Sequence, residues 1–128
     1  MKNYNLDYLK ELASGDEAFM NEMIGYFIEN TPKVIAELDL NLSEADWKNF
    51  RFHIHKFAPN LSMVGMTELV PVANHLEHLS ATETELDTIP PVYSGFRENL
   101  QIALAELKSD FDPKLNQLIE NHGKSTGV

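Results

Sequence analysis

Between Trp47 and Gly65 the segment WKNFRFHIHKFAPNLSMVG places apolar residues at Trp47, Phe50, Ile54, Phe57, Leu61 and Val64. Steps of three and four put all six on one stripe of an α-helix. Such a helix is stable only when other elements bury the stripe, so it commits its neighbours to a shared core. Pro59 lies within the pattern and removes the hydrogen bond to the carbonyl of His55, which predicts a kink near Ala58–Pro59. Gly65 is placed to end the helix in the left-handed conformation. His55 sits beside the stripe rather than in it, and what that imidazole does is the main functional question.

The remaining segments supply partners of the same kind. Asn5 is a candidate cap for a short helix with Leu6, Leu9, Leu12 and Ala13, ending near Ser14-Gly15. Asp16 caps a second helix bearing Phe19, Met20, Met23, Ile24, Phe27 and Ile28, and Thr31-Pro32 predicts a break or kink before Val34, Ile35, Leu38 and Leu42. Ser43 to Asp46 resembles a capping box ahead of the central helix. Leu69, Val72, Ala73, Leu76 and Leu79 form a further apolar face, starting at Thr67 or Val70. Ala81 to Asp87 predicts a polar loop. Pro90-Pro91 precede a longer helix with Val92, Phe96, Leu100, Ala103, Leu104 and Leu107, and Asp112-Pro113 predicts the start of a short last one. No segment alternates with period two. The expected fold is all-α: an antiparallel, up-down four-helix bundle with additional short N- and C-terminal helices. The expected organisation is a single domain over 1–122 followed by a disordered tail over 123–128.

Charge and composition narrow the function. Twenty acidic against ten basic residues give a formal charge of −10, which repels phosphate backbones and anionic lipid, so neither nucleic acid nor membrane is an expected partner. The chain has no cysteine, which excludes disulfides, thiol nucleophiles and thiolate metal sites and fits a reducing compartment. No window has the apolar length of a signal peptide or membrane span, and the expected location is the cytoplasm. Gly-rich phosphate loops, G-x-S-x-G and H-E-x-x-H are all missing.

The histidines remain: His53, His55, His75, His78 and His122. Around His55, helical spacing gathers Lys48, Arg51, Phe52, Ala58, Pro59 and Ser62 on one surface. Two cations beside an imidazole can stabilise an anion such as a phosphoryl group held on it. Small residues leave room for another protein, and an exposed Phe52 would add docking area. Spacing alone favours an ordinary solvated face. His53 lies about 200° around the helix from His55, from the turn of ~100° per residue, and is expected to be exposed or half-buried. His75 and His78, three apart, leave a bundle metal site conceivable with Glu68 or Glu77, but the inward stripes hold no paired Glu-x-x-His motif.

The segment from His55 to Met66, HKFAPNLSMVGM, resembles the signature of histidine-containing phosphotransfer (HPt) domains. In that pattern an apolar residue precedes the active histidine, another follows two residues later, and a glycine follows ten residues later. Ile54, Phe57 and Gly65 match. Leu76-Glu77 resembles the end of the family's next helix, and the order of helices corresponds from about Leu6 to Phe111. Two positions depart from the pattern: Ala58 and Pro59 stand where the family usually has lysine and glycine. Arg51, Lys48 or Lys56 is then the expected source of positive charge.

The resemblance implies a phosphorelay protein, not an enzyme with its own ATP site. It would carry a phosphoryl group on His55 and exchange it with an aspartate of response-regulator receiver domains. Hybrid sensor histidine kinases would be the other partner class. It implies no cofactor on this chain, with Mg²⁺ on the receiver, and a monomer. Phosphoryl transfer depends mainly on positioning and charge stabilisation, and an imidazole is largely neutral, hence nucleophilic, near neutral pH. Two alternatives stand beside it: a non-phosphorylated adaptor of the same fold, and the metal-binding bundle.

Overall fold

Four long helices bury their stripes against one another in a computed structural model that describes the backbone over residues 2–125 and side chains over residues 2–111. The elements are α1 (Asp7–Ala13), α2 (Glu17–Ser43), α3 (Trp47–Met63), α4 (Leu69–Thr82), a 3-10 turn at Leu86–Thr88, and α5 (Ile89–Ser125). Short connections reverse the chain between successive helices. α3 packs between α2 and α4, α4 packs on α5, and α5 returns to α2, closing a ring of four. α1 lies against α2.

The α3 stripe is the axis of the core. Phe50, Ile54, Phe57, Leu61 and Val64 are buried, and Trp47 is half-buried at the edge. Phe57 stacks on Phe27 of α2 with ring centroids 5.9 Å apart. Phe50 meets Tyr93 of α5 edge to face at 5.6 Å. Removing one such buried ring costs about 3–5 kcal/mol in lost burial and cavity.

Local chemistry sets the helix ends. Asp16 accepts from the Phe19 amide at 3.0 Å and starts α2. Asn5 accepts from the Asp7 amide at 2.8 Å from just outside the α1 cap position, which Leu6 occupies. The expected capping box at Ser43–Asp46 is replaced by a split of roles. Ser43 is the last residue of α2, donating its hydroxyl to the Leu40 carbonyl, while Asp46 alone caps α3 by accepting from the Asn49 amide and side chain. Gly65 has φ +67°, and a Cβ there would lie 1.9 Å from the Asn5 carbonyl oxygen. The same approach lets the Asn5 amide donate to the Val64 carbonyl at 3.2 Å. The N-terminal segment is thereby strapped across the end of α3. Lys2 and Tyr4 both reach Asp110 of α5, adding a second tie.

Three expected boundaries are corrected. Thr31-Pro32 is not a break: α2 runs through it, because Thr31 and Ile35 are both buried and the Thr31 hydroxyl donates to the Phe27 carbonyl at 2.6 Å. The polar loop at 81–87 is shorter, since α4 extends to Thr82 and the 3-10 turn begins at Leu86. The separate short C-terminal helix is instead a continuation of α5 through Asp112-Pro113 to Ser125. α5 thus takes up residues 123–125, while 126–128, the rest of the expected tail, lie outside the described residues.

One polar clamp joins α2 to α5. Asp39 accepts from Tyr93 Oη at 2.7 Å and from Arg97 Nε and Nη2, both at 3.0 Å. Desolvation works to raise the Asp39 carboxyl, but the bonds from Arg97 and Tyr93 outweigh it and hold the carboxyl below its ordinary value. Burial, then the Asp39 hydrogen bond, pushes the Tyr93 phenol upward. Tyr93 stays neutral and donates.

Candidate functional site

His55 stands on α3 away from the core, with its side chain 70 % exposed. Its Nδ1 lies 2.7 Å from Oε1 of Glu77, whose side chain is 23 % exposed on the flank of α4. Two properties of the sequence bring the pair together. The α3 stripe turns Ile54 into the core, so the next residue emerges toward the seam. On α4, Leu76, Leu79 and Ser80 are buried, which leaves Glu77 at the edge of the packed face. Antiparallel helices pair residues equidistant from the turn, and His55 and Glu77 are equally far from Met66.

A carboxylate can only accept, so Nδ1 carries the proton and donates to Glu77. The neutral ring then has its lone pair on Nε2, which has no hydrogen-bond partner among the described residues. The arrangement fixes the tautomer and the ring orientation together. It also places a negative charge where it can face an imidazole that becomes positive when Nε2 is substituted. Glu77, weighed in the sequence only as a possible metal ligand, is the residue that meets His55 across the seam. Its signal was present in the α4 pattern, one position after the core residue Leu76, but it needed the α3–α4 register to be recognised.

The other expected site residues divide between two sides of α3. Lys48, Arg51, Pro59 and Ser62 are exposed, on the helical surface shared with His55, and Ala58 is half-buried. Helical side chains lean toward the N-terminus, so Arg51 and Lys48 lean away from His55. The positions that lean back over it hold Ala58 and Pro59, neither of which carries a charge. Lys56 lies toward α2, with Nζ 5.9 Å from the centroid of the exposed Phe52 ring. Gly65 acts at a distance, by seating the N-terminal strap at the end of the helix.

His53 belongs to the α2 seam. Its Nδ1 is 2.8 Å from Oδ1 of the buried Asn41, its Nε2 is 3.8 Å from Glu37, and Phe52 packs edge to face on the ring. It is half-buried and shares no contact with His55. His75 and His78 are exposed on α4, and the side chain of His122 lies outside the described residues. Among the described residues no three His, Asp or Glu side chains gather as a metal site.

The comparisons agree with this fold. A solved structure, the HPT domain of the Hpt sensor hybrid histidine kinase from Shewanella, superposes with a TM-score of 0.75 at 15 % identity. The match covers 87 % of this chain and 95 % of that one, and it shows that the two share a fold. No curated protein matches the chain. A family model described as "Hpt domain" matches residues 22–110. That span holds the whole of α3 and α4, with the exposed histidine and the carboxylate that orients it, and on this match the chain belongs to the Hpt domain family.

Proposed function

We propose that His55 receives a phosphoryl group from the aspartyl phosphate of a receiver domain and returns it to a second receiver aspartate. The observation that carries this reading is the His55–Glu77 pair: an exposed imidazole, held by Nδ1, with Nε2 presented to a partner. In the step, the Nε2 lone pair attacks phosphorus, a P–N bond forms, and the P–O bond to the aspartate breaks. The aspartate leaves as a carboxylate. The ring keeps its Nδ1 proton and becomes positive, and the Glu77 carboxylate lies against that new charge. Transfer onward reverses these changes and regenerates the neutral ring.

The protein's contribution is orientation, because phosphoryl transfer proceeds mainly through positioning and charge stabilisation. The receiver supplies the aspartate and Mg²⁺, and this chain brings no cofactor. With Ala58 and Pro59 over the histidine, the cation facing the phosphoryl oxygens comes from the partner, with Arg51 and Lys48 at the margin. Phe52, Lys56 and Ser62 belong to the docking face around the histidine. The protein acts as a monomer in the cytoplasm, as a carrier between a hybrid kinase and receivers. No described helix is long and apolar enough to cross a membrane.

The test is direct. The protein is incubated with a receiver domain charged on its aspartate by acetyl phosphate and Mg²⁺. We expect an acid-labile, base-stable phosphoryl label that is lost in His55→Gln. Label that persists in His55→Gln refutes the assignment. Binding of the receiver without any label on the wild-type protein would instead favour the adaptor reading, which the Ala58 departure motivates.

A further inference from the structure

Beside the histidine face, on the seam between α2 and α3, a cleft of about 370 Å³ opens to solvent. Tyr26, Asn30 and Lys33 line it from α2, and Lys56 and Asn60 from α3, over a floor that includes buried Phe57. Its chemistry differs from the rest of the molecule. The protein carries a net charge of −10, yet two lysines, Lys33 of α2 and Lys56 of α3, both line this cleft. Neither forms an ion pair with a carboxylate among the described residues. The half-buried side-chain amides of Asn30 and Asn60 have no hydrogen-bond partner there either. Lys56 also lies near the exposed Phe52 ring, with Nζ 5.9 Å from its centroid. One carboxylate, Glu37, also lines the cleft, 3.8 Å from the His53 ring that lines it from α3.

Two ammonium groups, two amides and a phenol around one small opening form a donor set suited to a single carboxylate. The geometry points to this cleft as the seat of an aspartate or glutamate side chain from the docked receiver domain. Lys33 of α2 is then the specificity-determining contact. This inference rests on the proposed exchange with receivers and adds to it a second anchor away from the phosphoryl site. Lys56 adjoins His55 in sequence, so the anchor lies on the flank of the histidine face. A partner with an acidic residue at the matching position is held in register, and one with a lysine or an apolar residue there is rejected by unpaired charge.

The test uses the receiver domain that labels the wild-type protein fastest in a panel charged with acetyl phosphate. Lys33→Glu is expected to raise KM about five- to tenfold, equivalent to about 1–1.4 kcal/mol, with kcat unchanged because Lys33 does not touch the histidine. Lys33→Arg is expected to keep KM within about twofold, since it preserves the charge. Lys108→Glu on α5 makes the same change in net charge elsewhere and is expected to leave KM unaltered. Raising the salt should narrow the gap between wild type and Lys33→Glu. Equal KM for Lys33→Glu and wild type overturns the inference, as does an equal rise in the Lys108→Glu control. Either result leaves the His55 assignment intact, whereas label retained in His55→Gln overturns that assignment and not the cleft. Failure of every receiver both to bind and to label the wild-type protein overturns both.

Discussion

Replacing Glu77 separates the two jobs that the carboxylate has at His55. In Glu77→Ala the Nδ1–H bond of 2.7 Å is lost, the ring can turn, and the proton can settle on Nε2, where it blocks attack. The charge effect can be bounded from the geometry. A unit positive charge on the ring and a carboxylate about 4 Å away attract by about 1 kcal/mol in a water-like medium and about 4 kcal/mol at an effective dielectric of 20. His55 is mostly exposed while Glu77 is mostly covered, so solvent screening places the pair toward the lower bound, at about 1–2 kcal/mol. That corresponds to a rate lower by about five- to thirtyfold, with loss of the correct tautomer adding to it. Glu77→Gln keeps an acceptor for Nδ1–H and removes only the charge, so its rate should lie between those of wild type and Glu77→Ala. The assay is a single-turnover measurement of label moving from a charged receiver to the histidine, with circular dichroism confirming the fold. Transfer by Glu77→Ala within about twofold of wild type would refute the reasoning, and so would a Gln variant slower than the Ala variant.

Two further predictions concern the scaffold. Gly65→Ala combines a positive φ with a Cβ driven into the Asn5 backbone, and should destabilise the protein by about 2 kcal/mol or more; an unchanged melting temperature with the Asn5 amide still protected from exchange would contradict this. Asp39→Asn tests the α2–α5 clamp through pH. Because the folded Asp39 carboxyl titrates below its unfolded value, its contribution is present above the unfolded pKa of about 3.9 and is lost as pH falls through the folded value. Both Asp39 and Arg97 are more than one-third exposed, so screening limits the effect to about 1 kcal/mol. The difference in melting temperature between wild type and Asp39→Asn should therefore be largest near neutrality and shrink below pH 4, and a difference independent of pH would count against the clamp.

Much of the bundle was legible before any coordinates because amphipathic spacing is a local property. The six apolar residues of Trp47–Val64 state which face of α3 is buried, and Asp16 and Asp46 satisfy the first amides of their helices from within a few residues. Two of the misplaced boundaries share one cause. By local rules Pro32 and Pro113 both look like the first position of a new helix, and in both cases the preceding helix continues. At Pro32 the reason is visible: Thr31 before it and Ile35 one turn on are buried in the bundle, and packing outweighs a single missing hydrogen bond. Ser43 looked like a cap because its sequence context suits one, yet Ser43 still completes the last turn of α2 and Asp46 takes the role.

By itself, then, the sequence determined the all-α class, the buried stripe of α3 and the place of His55 beside that stripe, since these follow from periodicity and residue identity; the departure at Ala58-Pro59 follows from the resemblance to the family pattern. What only the tertiary structure decided is which side chains meet across helices. Glu77 reaches His55, Asn41 reaches His53, Asp39 reaches Arg97, and Lys33 and Lys56 line one cleft from two helices. Each of these pairings spans at least twelve residues and depends on the register of one helix against another. Register is set by how side chains interdigitate over the whole core, so no local pattern in the chain encodes it.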